Sequence, residues 1–350
     1  MPRFLLLRLQ EVIHETADAV TLRWTQPLTD RIAYQAGQYL TLKVTIAGED
    51  HYRAYSISSA PRFDRYLSVT IKRVPGGLVS NYLCDHAAPG MELAVLQPRG
   101  RFGVTTATRN RRHLVLWAGG SGITPLYSIL RAVLYHEPYS RVTLVYSSRT
   151  AADTLFGTEL LRLSDLFGDR LSLHLLASRT SAPPLPWQPT RLTAEWVAAL
   201  AARLLAVQEY PLLWMMCGPA GMMAAVMSGL TQAGVAPEAI QAERFDTGLE
   251  DTAALAALGP ARTVQVVAGE QTWSLQVPPG TTLLQAAIAQ EVPLPWSCKR
   301  GVCATCMCVL TRGQVTMADP GLLLDFERAA GKILTCQAFP ADDAVVIQVQ

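Results

Sequence analysis

The sequence predicts a multidomain protein of three successive folds: an antiparallel β-barrel, a doubly wound α/β domain on a parallel sheet, and a small α+β domain. Three observations predict it. Residues 4–104 alternate short apolar runs with Gly- and Pro-bearing turns. From His113 to Phe245 strand-length apolar runs alternate with helical ones. Residues 263–350 then carry a hairpin, a helix and five of the seven cysteines.

In the first region the spacing predicts strands over Phe4–Val12, Ala19–Thr25, Tyr39–Ile46, Arg53–Ile57, Tyr66–Arg73 and Met91–Gln97, with one helical insert over Gly77–His86. Turns carry Gly37, Gly48, Pro75-Gly76-Gly77, Pro89-Gly90 and Pro98-Arg99-Gly100. In the second region the order is strand 113–118, helix 125–135, strand 141–146, helix 156–167, strand 171–176, helix 193–207, strand 212–216, helix 221–233 and strand 240–245. This order means a parallel sheet covered on both faces. Residues 246–262 read as a linker, so that the last domain is expected to move. In the last region strands are expected over 263–267, 273–277, 307–311 and 344–349, with a helix over 282–290. The expected domains are 1–108, 109–246, a linker 247–262, and 263–350.

Half of the 350 residues are apolar and the formal net charge is +2, which argues against bulk attraction to nucleic acid or membranes. The N-terminal apolar run is cut by Arg8, too soon for a signal peptide. Pro211–Leu230 is free of charge over a membrane-spanning length, but Gly218-Pro219 divide it, and strand, turn and helix is the better reading. The cysteine usage suits a reducing compartment, and a cytoplasmic location is expected. The six histidines show no metal-ligand spacing.

Cys298, Cys303 and Cys306 follow the spacing C-x4-C-x2-C, and Cys336 stands alone thirty residues on. That is the plant-type spacing for a [2Fe–2S] cluster held by four thiolates, and it makes the last domain ferredoxin-like, of the β-grasp kind. Structural zinc is the alternative, but it usually shows two short knuckles. Cys308 shares the side of Cys306 at period two and reads as a small buried residue behind the cluster.

In the second domain Gly119-Gly120-Ser121-Gly122-Ile123-Thr124-Pro125 follows a buried strand and opens a helix, the context of a phosphate cradle. It is neither G-x-G-x-x-G nor G-x-S-x-G. The next strands end in Ser148-Arg149 and Ser178-Arg179 with no carboxylate evident nearby, which favours the 2′-phosphate of NADPH over NADH. Cys217-Gly218-Pro219 ends a further strand on the same edge, where a nicotinamide could lie. Nicotinamide delivers two electrons as hydride and the cluster takes one, so a flavin is required between them. The first domain offers a site: Arg53, Tyr55 and Ser56 on one strand, Lys72 at the end of another, and Gly76, Gly77, Leu78, Val79 and Ser80 where a turn enters a helix.

Carrying R-x-Y-S, G-G-x-x-S, G-G-S-G-I-T-P and C-G-P in that order ahead of the cysteine loop, the chain resembles the ferredoxin–NADP reductase superfamily, and within it the reductases of oxygenase systems. The resemblance spans nearly the whole chain and is poorest in the linker. It implies that Arg53, Tyr55 and Ser56 contact flavin and that Gly77 and Ser80 hold its phosphates. It implies that Gly119, Thr124 and Cys217 frame the nucleotide, that Ser56, Cys217 and Glu243 surround the hydride path, and that Phe245 lies near the flavin ring. Relatives with this domain order use FAD or FMN, and FAD fits better here. The implied activity is an NAD(P)H-dependent iron–sulfur flavoprotein passing electrons from NADPH, with NADH possible, through FAD and the cluster. The implied acceptor is an oxygenase component, of the phenylacetyl-CoA epoxidase kind or another aromatic oxygenase, or another ferredoxin-accepting protein. A free-standing diaphorase or flavin reductase, and a redox sensor, are the rival readings. Arg300 departs from the small residue the resemblance leads one to expect in the cysteine loop.

Overall fold

The computed structural model describes residues 4–26, 31–180, 182–245, 260–299, 301, 303–317, 323 and 325–349. Arg300 and most of the expected linker lie outside them. The described residues divide into two compact units. One is Leu5–His51 with Tyr55–Phe245; the other is the C-terminal region with Phe4 and Tyr52–Ala54.

The barrel part has strands β1 (Phe4–Arg8), β2 (Glu11–Thr16), β3 (Ala19–Thr25), β4 (Tyr39–Ile46), β5 (Glu49–Ser56), β6 (Tyr66–Lys72) and β7 (Glu92–Leu96), with helix α1 (Leu78–His86) between the last two. They form sheets in the orders β1-β7-β4-β5 and β2-β3-β6, and an antiparallel bridge from Ile57 to Val69 ties the two sheets together. Leu22, Leu40, Leu42, Ile57, Leu67 and Ile71 close the interior. The expected single strand Phe4–Val12 is two strands. The Leu9 amide donates to Met91 O at 2.8 Å, beside β7, while the Gln10 amide donates to Arg23 O at 2.9 Å on β3. The chain changes sheets between these two residues, which apolar continuity alone does not reveal.

The α/β part runs β8 (His113–Gly119), α2 (Ile123–His136), β9 (Arg141–Ser148), α3 (Gly157–Phe167), β10 (Leu171–Ala177), α4 (Ala194–Ala206), β11 (Leu212–Cys217), α5 (Ala220–Gln232) and β12 (Ile240–Glu243). Every pairing is parallel, in the order β10-β9-β8-β11-β12. Period two distributes β8 between two cores: Leu114, Leu116 and Ala118 pack with α2 and α3, Val115 and Trp117 with α4 and α5. The strand order reverses between β8 and β11, so their C-terminal ends flank the crevice where such sheets bind ligands. Ala36, Ala60, Phe102 and Val104 of the barrel share the α2 core, and Arg131 on α2 pairs with Asp64 through two hydrogen bonds of 2.6 Å.

The C-terminal part has β13 (Arg262–Ala268), β14 (Gln271–Val277), α6 (Leu283–Ala289), β15 (Met307–Arg312), β16 (Val315–Met317), α7 (Asp325–Ala329), β17 (Lys332–Leu334), β18 (Ala338–Pro340) and β19 (Val346–Val349). Its main sheet is ordered β14-β13-β19-β15-β17, with β13 and β19 parallel, and β16 pairs with β18. Val264, Val266, Leu275, Leu283, Leu284 and Ile347 form its core. The short strands β16, β17 and β18 and helix α7 were not expected from the sequence.

Candidate functional site

At the switch point the chain turns through Gly119–Gly122 into α2. Gly120 has φ +52°, and Thr124 Oγ1 donates to Ser121 O at 3.0 Å. The buried Tyr146 hydroxyl donates to Gly120 O at 3.0 Å. This turn lies directly on the Cys217–Pro219 turn. A Cβ on Gly122 would stand 2.2 Å from Cys217 O, one on Gly119 2.7 Å from Pro219 Cδ, and one on Gly218 3.0 Å from Gly119 Cα. Gly122 is therefore required by backbone contact, while Gly119 and Gly218 also make room for the Met222 side chain, whose sulfur and methyl would lie 2.5 and 2.7 Å from their added Cβ atoms. Pro125 sits in the first turn of α2.

Cys217 and Glu243 are register partners on β11 and β12. Ser56, at the end of β5, donates its hydroxyl to Glu243 Oε2 at 3.5 Å across 187 residues of sequence. The three expected hydride-path residues therefore converge. Burial pushes the Cys217 thiol well above its ordinary value, and the Glu243 carboxylate adds to this, so Cys217 is a neutral thiol. Burial also pushes Glu243 up to about 8, against the opposing hydrogen bond from Ser56. Glu243 thus holds a proton at neutral pH. Phe245 is 38% exposed at the edge of the described unit.

Arg53 and Tyr55 stand two apart on β5, hence on one face of the strand, and Tyr55 packs against the barrel core. Ser80 Oγ accepts from the Val74 amide at 3.1 Å and lies under Gly77, whose added Cβ would meet that oxygen at 2.7 Å. Gly76, at φ +68°, turns the chain into α1. Val79 is buried in the core while Leu78 is exposed, so of this pair Val79 has only backbone to offer a ligand. Lys72 is half-buried; burial lowers its pKa, and the Arg149 charge lowers it further.

The two serine–arginine strand ends lie side by side: the Ser178 and Arg179 amides each donate at 2.9 Å to the Ser148 and Arg149 carbonyls. The expectation that no carboxylate lies near them is corrected. Arg149 Nη2 donates to Asp18 Oδ2 at 2.7 Å and to Asp153 Oδ1 at 2.6 Å. Asp153 was readable as an i, i+4 neighbour of Arg149; Asp18 lies on the barrel, 131 residues away in sequence. Ser148 is buried against Thr154 Oγ1 at 2.7 Å, and Ser178 Oγ donates to Ser148 O at 3.0 Å, so neither hydroxyl is free-standing. Arg179 is exposed.

In the C-terminal unit Cys298, Cys306, Cys308 and Cys336 are buried and Cys303 is half-buried. The thiols meet as two pairs. The Cys303 thiol is lowered chiefly by its hydrogen bond with Cys298, and Cys306 chiefly by its bond with Cys336. The Thr335 amide and hydroxyl donate to Cys306 O at 3.1 and 2.9 Å, which fastens the second pair. Gly301, at φ +72°, turns its N–H onto Cys336 Sγ at 3.2 Å, and Gln337 Nε2 lies 3.6 Å from the same sulfur. Among the described residues no three His, Cys, Asp or Glu side chains are placed to hold one metal ion. Two pairs of thiols with N–H groups aimed at sulfur fit a two-iron cluster better than one zinc ion. Cys308 is fully buried on β15, and burial raises its thiol to about 12.

Fold and site together define a class: an oxidoreductase with a flavin barrel, a pyridine-nucleotide domain and a [2Fe–2S] domain. Family models agree, matching an oxidoreductase FAD-binding domain over residues 6–103, an oxidoreductase NAD-binding domain over 116–228, and a 2Fe-2S iron-sulfur cluster binding domain over 266–341. The chain is 35% identical to a component of the 1,2-phenylacetyl-CoA epoxidase of Escherichia coli, over 99% of this chain and 98% of that one. It is 33% identical to the ferredoxin reductase component of 3-ketosteroid-9-alpha-monooxygenase of Rhodococcus rhodochrous, over 99% and 97%. Phthalate dioxygenase reductase has the same fold, with TM-score 0.61 and 21% identity over 99% and 98% of the two chains. CYP116B46 of Tepidiphilus thermophilus superposes with TM-score 0.70 and 24% identity over 98% of this chain, which spans 42% of that longer one. The chain belongs to the ferredoxin–NADP reductase superfamily, in the family of oxygenase reductase components that carry a C-terminal [2Fe–2S] domain. Among the described residues no helix is long and apolar enough to cross a membrane.

Proposed function

We propose that the chain takes electrons from NADPH, accepting NADH as well, and delivers them singly through FAD and a [2Fe–2S] cluster to an oxygenase component. The convergence of Ser56, Cys217 and Glu243 at the switch point carries this reading. The relatives named as components of an epoxidase and a monooxygenase support the choice of acceptor. The domains we assign are 1–108 for flavin, 109–246 for nucleotide and 263–350 for the cluster, working in the cytoplasm.

A bound flavin would supply the conversion of one hydride into two single electrons. The residues of this chain do the rest. Arg53 and the open N-terminus of α1 hold the flavin phosphates, with Ser80 shaping the turn and Lys72 beside it. Gly119 and Gly122 let this turn pack on Cys217–Pro219. Gly120, with open space at its Cβ position, leaves room for the nucleotide backbone, and Thr124 and Pro125 start the helix whose N–H groups face its pyrophosphate. The Cys217 thiol, kept neutral, offers an apolar, polarisable wall to the nicotinamide. Ser56 links the reacting edge to Glu243, which carries a proton at neutral pH and can release it to solvent. The cluster is held by Cys298, Cys303, Cys306 and Cys336. For the 2′-phosphate, Arg179 is exposed while Arg149 is shared with two carboxylates, so the preference for NADPH is expected to be modest.

Anaerobic absorption titration with NADPH, and separately with NADH, tests this. Bleaching of flavin and cluster bands together, with NADPH the better reductant, is expected. Bleaching of flavin alone would replace the reading with a diaphorase acting on small acceptors.

A further inference from the structure

We propose that Asp18, Arg149 and Asp153 form a carboxylate–guanidinium clamp that decides between the two pyridine nucleotides, with Asp18 of the barrel as the element that disfavours a 2′-phosphate. The inference rests on the nucleotide site assigned above.

Arg149 follows the last residue of β9, the strand that borders β8 on the side away from β11. In doubly wound sheets the adenosine ribose is read at this strand end, by a carboxylate for a free 2′-hydroxyl or by a guanidinium for a 2′-phosphate. Here both chemistries occupy one place. A single nitrogen of Arg149, Nη2, donates to Asp18 and to Asp153. The two carboxylates are not held alike. Asp153 Oδ2 accepts from Thr150 Oγ1 at 2.9 Å, and the Asp153 amide donates to the same hydroxyl at 3.3 Å, so a local turn fixes it. Asp18 is fixed through its backbone, its carbonyl accepting from the Arg73 amide at 2.7 Å and its amide donating to Thr16 Oγ1 at 3.3 Å. Of its carboxylate, the structure describes only the pairing with Arg149.

Lys72 adjoins the group, and its charge interacts with Arg149, Asp153 and Asp18. Two cations therefore face two anions, and the cluster is balanced. A 2′-phosphate brings further negative charge to a balanced site and competes with Asp18 for Arg149. A ribose 2′-hydroxyl donates to a carboxylate and leaves the pair intact. Arg149 and Asp18 are 44% and 41% exposed, so water assists the exchange and the clamp can open. Specificity then comes partly from the repulsive partner, Asp18, and not only from the attractive one.

The test is the ratio of kcat/KM for NADPH to that for NADH, measured on holoenzyme with a one-electron acceptor. Asp18→Asn is expected to raise the ratio by about two- to fivefold, the upper part of the range of a lost exposed pair. Arg149→Gln is expected to lower it, with flavin and cluster absorption unchanged in both. A ratio within twofold of wild type in Asp18→Asn, or an equal change for both nucleotides, would overturn the clamp. If wild type is reduced by neither nucleotide, the reductase reading fails instead, so the two failures are distinguishable.

Discussion

The two units begin their helices differently. In the N-terminal unit α1, α2 and α5 start from Gly77, Gly122 and Pro219, with no side-chain cap and no acidic residue in the first turn. The hydroxyls nearest to these ends are turned elsewhere: Ser80 accepts from Val74, and Thr124 donates to Ser121. In the cluster-bearing unit α6 starts from Thr282 in a full capping box, in which Thr282 Oγ1 accepts from the Gln285 amide and Gln285 Oε1 accepts from the Thr282 amide. Of the helices of the N-terminal unit away from the proposed sites, α4 behaves like α6, with Thr193 as cap and Glu195 behind it, while α3 starts from Phe156 without a side-chain cap but has Glu159 in its first turn. Helix ends with neither a cap nor an acidic residue therefore coincide with proposed ligand positions, at α1 and α2 phosphates that meet backbone N–H groups and the helix dipole, and at α5 the nicotinamide. The cluster unit meets its ligand with thiolates instead.

The largest expected effect is on the side-chain half of this comparison. Cys336→Ser should abolish the cluster absorption while leaving flavin content and its reduction by NADPH intact. Cluster absorption surviving in this variant would mean that Cys308, two residues from Cys306, can replace the ligand. Next comes the backbone half. Gly122→Ala drives a methyl into Cys217 O and must separate the two turns. Reduction by NADPH should slow by about 10²-fold, the scale of an ångström-sized misplacement of reacting groups. Dithionite should still reduce both flavin and cluster. A variant that keeps its rate would show that the open end of α2 is not where the nucleotide lies.

Glu243 extends the same logic to protons. Its carboxyl is raised to about 8 in the folded chain, so the native state binds a proton that the unfolded state, with an ordinary carboxylate, releases at lower pH. Its contribution to stability is greatest below the unfolded value, near pH 4, and declines as pH rises toward 8. Glu243→Gln should flatten that decline, seen as a Tm difference from wild type that shifts in favour of the variant between pH 5 and 8. The same variant should slow reoxidation of the flavin by about 10²-fold, the lower end for a positioned general acid or base, and remove its inflection near pH 8. An unchanged pH profile would separate Glu243 from the proton path.

What was legible in the sequence follows from how each site is assembled. The proposed cluster ligands lie within one loop and one later position, so spacing alone suggests them. The Gly119–Gly122 turn is legible because strand, glycines and helix are contiguous. The meeting of Ser56 with Glu243 was reached through a resemblance, since no local pattern relates residues 187 apart. The Asp18–Arg149 contact had neither aid. The missed elements are physically explicable too. Strands β16, β17 and β18 have three residues each, too few for a period-two pattern, and hold their places through partners such as Met317 with Ala338. The joined reading of β1 and β2 failed because Leu9 is buried where the chain crosses between sheets, so the apolar run does not pause at the boundary.

The smallest expected effect closes the comparison from its capped side. Thr282→Ala removes an acceptor from the Gln285 amide while Gln285 can still reach back to the amide of residue 282. The loss of such a cap costs about 1 kcal/mol. For a domain of this size that lowers Tm by about 4–8 °C. Unfolding of the cluster domain, followed by loss of its visible absorption on heating, should shift by that amount, while the rate of flavin reduction by NADPH at 25 °C stays at the wild-type value. A capped helix end then registers in stability and not in turnover, the reverse of what Gly122→Ala shows at an open one. If Thr282→Ala instead lowers turnover with Tm unchanged, the division between closed structural ends and open ligand-bearing ends does not hold in this chain.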